Sequence, residues 1–178
     1  MASDIFTRAP RRNLELKARC PDLEAVAAKV GQLGARDAGP ELQTDTYFHV
    51  PSGRLKLREI EGKPAALIGY ARPNHVDARL CNYHLVPLLD AAAMKALLAS
   101  ILGVRSVVSK RRRIWLWQNV RIHLDEVAGL GSFVEFEAVL QSPEDEIAAP
   151  GQIEHLRQAF SIDPINQIAV SYADLLER

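Results

Sequence analysis

The chain has 178 residues, the size of one domain, and its 22 Lys and Arg balance 22 Asp and Glu, so net charge gives nucleic acid or a membrane surface no hold. With 48% hydrophobic and 25% charged residues it reads as globular with a buried core, and no apolar run approaches the ~20 residues of a membrane span. Cys20 and Cys81 are too few for a disulfide framework and lack zinc-site spacing, and Met1 to Pro10 has no signal-peptide core, which together point to the cytoplasm.

The first predicted element is a strand over about 12–20, with Asn13, Glu15, Lys17 and Arg19 on one face and Leu14, Leu16, Ala18 and Cys20 on the other. A helix follows over Pro21 to Leu33. Its residues Leu23, Val26, Ala27, Val30 and Leu33 share a face, Pro21 suits the first turn and Gly34 the stop. Alternation then predicts strands over about 41–50, 54–61, 64–73 and 79–87, separated by Pro51-Ser52-Gly53, Glu61-Gly62-Lys63 and Pro73-Asn74. Asp90 is placed to cap a second helix that displays Met94, Leu97, Leu98, Ile101 and Leu102 and stops at Gly103. Three more strands, over about 105–117, 119–127 and 132–140, precede a short helix over Gln152 to Phe160. A last helix starts near Pro164 and shows Ile165, Ile168, Ala169, Tyr172 and Leu176.

Short connections imply antiparallel pairing, and eight strands can close around a small ligand. The expected fold is α+β: an eight-stranded closed antiparallel β-barrel with helices packed on the outside. It forms one domain over residues 1–178, with strands over about 12–140 and C-terminal helices over about 150–178.

Charge gathers on one face of four strands. Beyond the first strand, Arg54, Lys56 and Arg58 alternate with Leu55 and Leu57, and Arg121, His123 and Asp125 with Val120, Ile122 and Leu124. Phe133, Glu135 and Glu137 alternate with Val134, Phe136 and Ala138. Amphipathic helices need apolar sheet to cover, so the apolar rows are expected to point outward and the charged rows inward.

The expected inward set holds nine cations: Lys17, Arg19, Arg54, Lys56, Arg58, Arg72, Lys110, Arg112 and Arg121, with His123 able to join them. Against these stand five acids, Glu15, Asp45, Asp125, Glu135 and Glu137, a surplus of four cations in a neutral chain. Buried charge costs several kcal/mol per ion unless compensated, so such a surplus implies a polyanion. A nucleoside or inorganic triphosphate suits the Arg fork and the Lys point charge. Carboxylates repel phosphate, and their sensible role is to hold Mg²⁺ or Mn²⁺.

These residues resemble the CYTH superfamily, the triphosphate tunnel metalloenzymes. Asn13-Leu14-Glu15-Leu16-Lys17 is similar to its ExExK signature. The likeness continues through Asp45-Thr46-Tyr47-Phe48, Gly53 to Glu59, Leu67 to Pro73 and Lys110-Arg111-Arg112. It then runs through Arg121 to Val127, Gly129 to Phe133 and Glu135-Phe136-Glu137. The motifs span residues 12–140 in the family's order, and the stretch around His123 and Asp125 looks most like the class IV adenylyl cyclase branch.

The resemblance implies metal on Glu15, Glu135 and Glu137, with Asn13 in the place of the first signature glutamate. It implies phosphate on Lys17, Arg54, Lys56, Arg58, Arg72, Lys110, Arg112 and Arg121, and leaves a homodimer open. Asn13 removes a formal charge from the metal site, and Cys81-Asn82-Tyr83-His84 stands where many relatives carry an acid, which puts two tightly held metals in doubt. Three activities follow: cyclisation of ATP to 3′,5′-cyclic AMP and pyrophosphate, hydrolysis of tripolyphosphate or an organic triphosphate such as thiamine triphosphate, and binding without turnover. His123 and Asp125 are the candidate general bases.

Other features reduce to packing and solvation. In Lys110-Arg111-Arg112-Arg113 alternation sends half the run inward and half to solvent, which argues against a nucleic-acid patch. Trp115 and Trp117 share a strand face as packing residues, His49, His75, His84 and His155 show no ligand spacing, and Glu144-Asp145-Glu146 is expected to be a solvated loop.

Overall fold

The computed structural model describes residues 10–71, 74 and 77–177, so Arg72 and His75 lie outside the described residues. Eight strands form in chain order: β1 (Arg11–Arg19), β2 (Arg36–Phe48), β3 (Arg54–Ile60), β4 (Lys63–Ala71), β5 (Arg79–Pro87), β6 (Val104–Trp117), β7 (Val120–Val127) and β8 (Gly131–Leu140). They close into one barrel in the order β1-β5-β4-β3-β2-β6-β7-β8, with every neighbouring pair antiparallel. The helices are α1 (Leu23–Gln32), α2 (Ala91–Leu102), α3 (Pro143–Ala159) and α4 (Tyr172–Leu176), with a 3₁₀ turn at Pro164–Asn166.

The packing is inside-out. Leu16 and Ala18 of β1, Ile122 and Leu124 of β7, and Val134 and Phe136 of β8 point away from the barrel axis. They form one core with Val26 and Val30 of α1 and Ile153 and Leu156 of α3. Each large side chain buried there contributes about 1.5–3 kcal/mol. The main hydrophobic core is therefore a layer between sheet and helices, which leaves the barrel axis to polar groups. Gly53 lets the chain turn into β3: its φ is +67°, and a Cβ there would stand 2.9 Å from the Tyr70 carbonyl oxygen.

Three expectations change. α3 begins at Pro143 and not near Gln152, because Ser142 and Asp145 form a reciprocal capping box and Pro143 occupies the first turn. Glu144, Asp145 and Glu146 are thus the helix's first turn, where acidic charge suits the N-terminal dipole, and not a loop. The helix expected from Pro164 is broken: Gln167 bridges to Ala18, the Ile168 N–H donates to the Lys17 carbonyl at 2.8 Å, and α4 starts only after the Ser171 cap. α2 forms where expected but buries none of its side chains, leaving Leu97 and Ile101 exposed. No helix among the described residues is long and apolar enough to cross a membrane.

Candidate functional site

The charged rows face the barrel axis. Asn13, Glu15 and Lys17 of β1, Asp45 of β2, Lys56 and Arg58 of β3, Lys110 and Arg112 of β6, Arg121 of β7 and Glu135 and Glu137 of β8 line one cavity enclosing about 800 Å³ of empty space, part of it open to solvent. Arg11 joins them, so seven cations face four carboxylates, a surplus of three. Tyr47, Tyr70, Tyr83 and Tyr172, all the tyrosines of the chain, line the same cavity, and Ile68 and Leu85 complete a less polar wall on β4 and β5.

Strand register sets the pairing. Asp45 stands opposite Arg58 across β2 and β3, and accepts from its Nε and Nη2 at 2.7 Å each and from Lys56 Nζ at 2.8 Å. Burial alone would push the Asp45 carboxyl up, but Arg58 and Lys56 hold it well below the usual carboxylate range. Arg112 stands opposite Asp125 across β6 and β7 and donates twice to it at 2.6 Å, and once to Glu135 at 2.7 Å. Lys17 stands opposite Glu135, its Nζ 3.5 Å from the carboxylate and 3.8 Å above the Tyr172 ring.

Lys110 is buried with Nζ 3.4 Å from Asp125. Burial and the Arg112 guanidinium push it down to about 7, and Asp125 offsets them only in part. Glu135 and Glu137 both titrate low. Burial opposes this, but Lys17 and His123 hold Glu135 down, and His123 and Arg121 hold Glu137 down.

Four sequence-predicted residues stand apart from the cavity lining. Arg19 is exposed at the last position of β1, where it donates to the Leu130 carbonyl at 3.1 Å and lies over Phe133. Arg54 is tied to Asp174 at 2.8 Å and Asn74 at 2.9 Å, and so anchors α4. Asp125 is fully buried and accepts from Arg112, Lys110 and, at 2.8 Å, the Tyr172 hydroxyl. Burial is overcome by Arg112 and Lys110, which hold its carboxyl well below the usual carboxylate range. His123 faces a second cavity, which shares Arg58, Arg112, Arg121 and Glu137 with the first. Burial and Arg112 lower its pKa, and Glu137 and Glu135 oppose them in part.

Sequence reasoning missed Arg79 and Tyr172. Arg79 is buried with Nε 3.5 Å from Glu15, and donates to the Ile168 carbonyl at 3.0 Å. Its alternation with Cys81 and Tyr83 on β5 was the available signal. Tyr172 looked like one more apolar position on a helix, and only the tertiary fold brings its hydroxyl to Asp125.

The donor set suits a divalent cation. Buried Asn13 Oδ1 lacks a hydrogen-bond partner, and one ligand atom each from His123, Glu135 and Glu137 lies within 4.8 Å of the others.

The CYTH domain profile matches residues 11–172. The chain belongs to the CYTH family. Members are in general metal-dependent enzymes that bind triphosphate substrates. The CYTH barrel here is similar to PH1012 of Pyrococcus horikoshii OT3, at 24% identity and TM-score 0.80 over 92% of this chain and 98% of that one. It is similar to a candidate adenylate cyclase of Vibrio parahaemolyticus, at 19% and 0.76 over 96% and 100%. It is also similar to HpAC1 of Hippeastrum, a candidate adenylyl cyclase with a dominant triphosphatase activity, at 13% and 0.65 over 94% and 95%. No curated protein matches this chain in sequence. At these identities the structural likeness speaks for the fold.

Proposed function

We propose that the barrel takes a nucleoside triphosphate and converts it as a class IV adenylyl cyclase does, ATP giving 3′,5′-cyclic AMP and pyrophosphate. The observation that carries the reading is a channel with three more cations than carboxylates beside an aromatic and aliphatic wall. The cationic rows on β1, β3, β6 and β7 bind the phosphates, with Arg58 and Arg112 offering the guanidinium N–H groups that Asp45 and Asp125 leave over and Lys17, Lys56 and Lys110 point charges. Tyr70, Tyr83, Ile68 and Leu85 give the nucleoside an apolar surface. Glu135 and Glu137, with Glu15 and the Asn13 carbonyl, are the groups that would hold Mg²⁺ or Mn²⁺, which when bound neutralises phosphate charge and polarises the attacking oxygen. Arg112, anchored by Asp125, is positioned to stabilise charge on the departing pyrophosphate.

Hydrolysis is the second reading, and HpAC1, a protein of this fold with dominant triphosphatase activity, is what favours it. The test is incubation with ATP, tripolyphosphate and thiamine triphosphate in Mg²⁺ or Mn²⁺. Cyclic AMP with stoichiometric pyrophosphate supports the cyclase. Orthophosphate without cyclic AMP replaces it with the triphosphatase, and tight binding with no product leaves a non-catalytic binder, in keeping with Asn13.

A further inference from the structure

The carboxylate pair on β8 has a neighbour on β7 that its chemistry leaves unexplained. His123 is 3% exposed, and its Nδ1 has no hydrogen-bond partner. That nitrogen lies 3.7 Å from Glu135 Oε2 and 3.9 Å from Glu137 Oε1, too far for a hydrogen bond to either. A buried ring nitrogen without a partner carries a desolvation penalty, and here it is turned toward two carboxylate oxygens.

We infer that His123 Nδ1 is a ligand of the divalent cation, completing with Glu135 and Glu137 a site of one nitrogen and two oxygens that selects Mn²⁺ or another transition ion over Mg²⁺. The inference deepens the proposed function by assigning its metal preference, and rests on that reading for the cation's role in turnover.

The distances need only a small contraction. Three donors spread evenly about one ion at about 2.1 Å stand at most about 3.6 Å apart. The two nitrogen-to-oxygen separations of 3.7 and 3.9 Å exceed that by about 0.1 and 0.3 Å. The donor atoms of the three residues lie within 4.8 Å of one another, so the remaining pair closes by about 1.2 Å at most, within reach of a carboxylate rotation.

The surrounding groups orient the donors. Arg112 Nη2 holds Glu135 Oε2 at 2.7 Å, and that oxygen keeps a second lone pair for the ion. Arg121 Nε lies 3.4 Å from Glu137 Oε2, which turns Oε1 toward the imidazole. Guanidinium groups that fix ligating carboxylates in this way are the expected outer shell of a metal site. The register explains the convergence: His123 stands opposite Glu135 across β7 and β8, and Glu137 follows two residues later on the same face.

Donor chemistry sets the selectivity. Mg²⁺ prefers oxygen and water, whereas imidazole suits transition ions, which bind such sites more tightly. On β1, Glu15 keeps one oxygen 3.5 Å from Arg79 Nε, and the nitrogen donor that sets the preference comes from β7.

The experiment is Mn²⁺ binding to the full chain without triphosphate, read by pulsed electron paramagnetic resonance. The expected result is one bound Mn²⁺ with a ¹⁴N coupling that changes to the ¹⁵N pattern in protein grown on [¹⁵N]histidine. His123→Gln, which offers an oxygen in its place, should lose the coupling while keeping a weaker Mn²⁺ site, and the Mn²⁺-over-Mg²⁺ preference should fall by at least tenfold. Stoichiometric Mn²⁺ without a histidine coupling overturns the inference, as does failure to bind Mn²⁺ at all. The wild-type label decides the matter even where a variant misfolds. Tripolyphosphate binding measured separately in chelator keeps the two readings apart: its failure overturns the proposed function and leaves the nitrogen coupling standing.

Discussion

Raising the pH from 7 to 9 should weaken metal-free tripolyphosphate binding through Lys110. In the free protein this lysine sits at about 7, because burial and Arg112 disfavour its charge. A polyanion in the cavity favours the charged form and returns the pKa toward its ordinary value near 10.4. The free protein is then half protonated at pH 7 and about 1% protonated at pH 9, while the complex stays almost fully protonated. Affinity should fall about 50-fold across that window, or roughly 2 kcal/mol, with uptake of about 0.9 proton on binding at pH 8. Titration calorimetry in chelator, repeated in buffers of different ionisation enthalpy, reads both quantities. Lys110→Arg keeps the charge at all these pH values and should flatten the slope, and Lys110→Met should bind weakly with no slope. If wild type and both variants lose affinity in parallel, Lys110 is not the titrating group and the argument fails.

The remaining expectations concern the Asp45 cluster. Asp45→Asn should cost about 3–5 kcal/mol at pH 7, a Tm drop of roughly 6–20 °C, because it leaves buried Lys56 and half-buried Arg58 without their carboxylate. Since the folded Asp45 titrates below its unfolded value near 3.9, its stabilisation is present above that pH and is lost as pH falls through the lower folded value. The Tm gap between wild type and Asp45→Asn should therefore shrink between about pH 5 and pH 2, and a constant gap would count against the pairing. Arg58→Ala leaves Asp45 its Lys56 partner but removes a guanidinium charge from the channel, so the tripolyphosphate Kd should rise about 10- to 100-fold; an unchanged Kd removes Arg58 from the site.

How much of this was legible follows from what alternation encodes. Period two assigns a side to each residue, and it placed Asn13, Glu15, Lys17, Lys56, Arg58, Lys110, Arg112, Arg121, Glu135 and Glu137 on the lining correctly. It says nothing of depth along the barrel. Two residues advance a strand by about 6.6 Å, so Arg19 shares the side of Lys17 yet stands at the strand's end, and Arg54 at the start of β3 meets α4. The helix register of α3 was readable from Ser142 and Pro143, but the acidic run obscured it. The role of Tyr172 was not readable: its hydroxyl meets a carboxylate 47 residues away in sequence, a contact that no local pattern carries. α2 shows the opposite limit, an apolar periodicity that the barrel does not bury.

The same alternation that builds the site also locks the fold. A one-residue slip of β8 against β7 would turn Glu135 and Glu137 toward α3 and bring Phe136 and Val134 into the cavity. Both faces would then lose, since carboxylates in the helix-covered layer have no cations and Lys17 and Arg121 lose the acids opposite them. In the native register Lys17 meets Glu135, Arg121 meets Glu137 and Arg112 meets Asp125 across adjacent strands, while Leu16 and Ile122 both flank Phe136 on the other side. A buried ion pair is weak evidence for stability alone, because desolvation offsets much of its attraction. As a penalty against misregistered strands it is strong, because every slipped arrangement buries charges without partners. The ionic rows therefore serve twice: they hold each strand in register, and their excess of cations keeps a channel that an apolar barrel of this size would have filled with side chains.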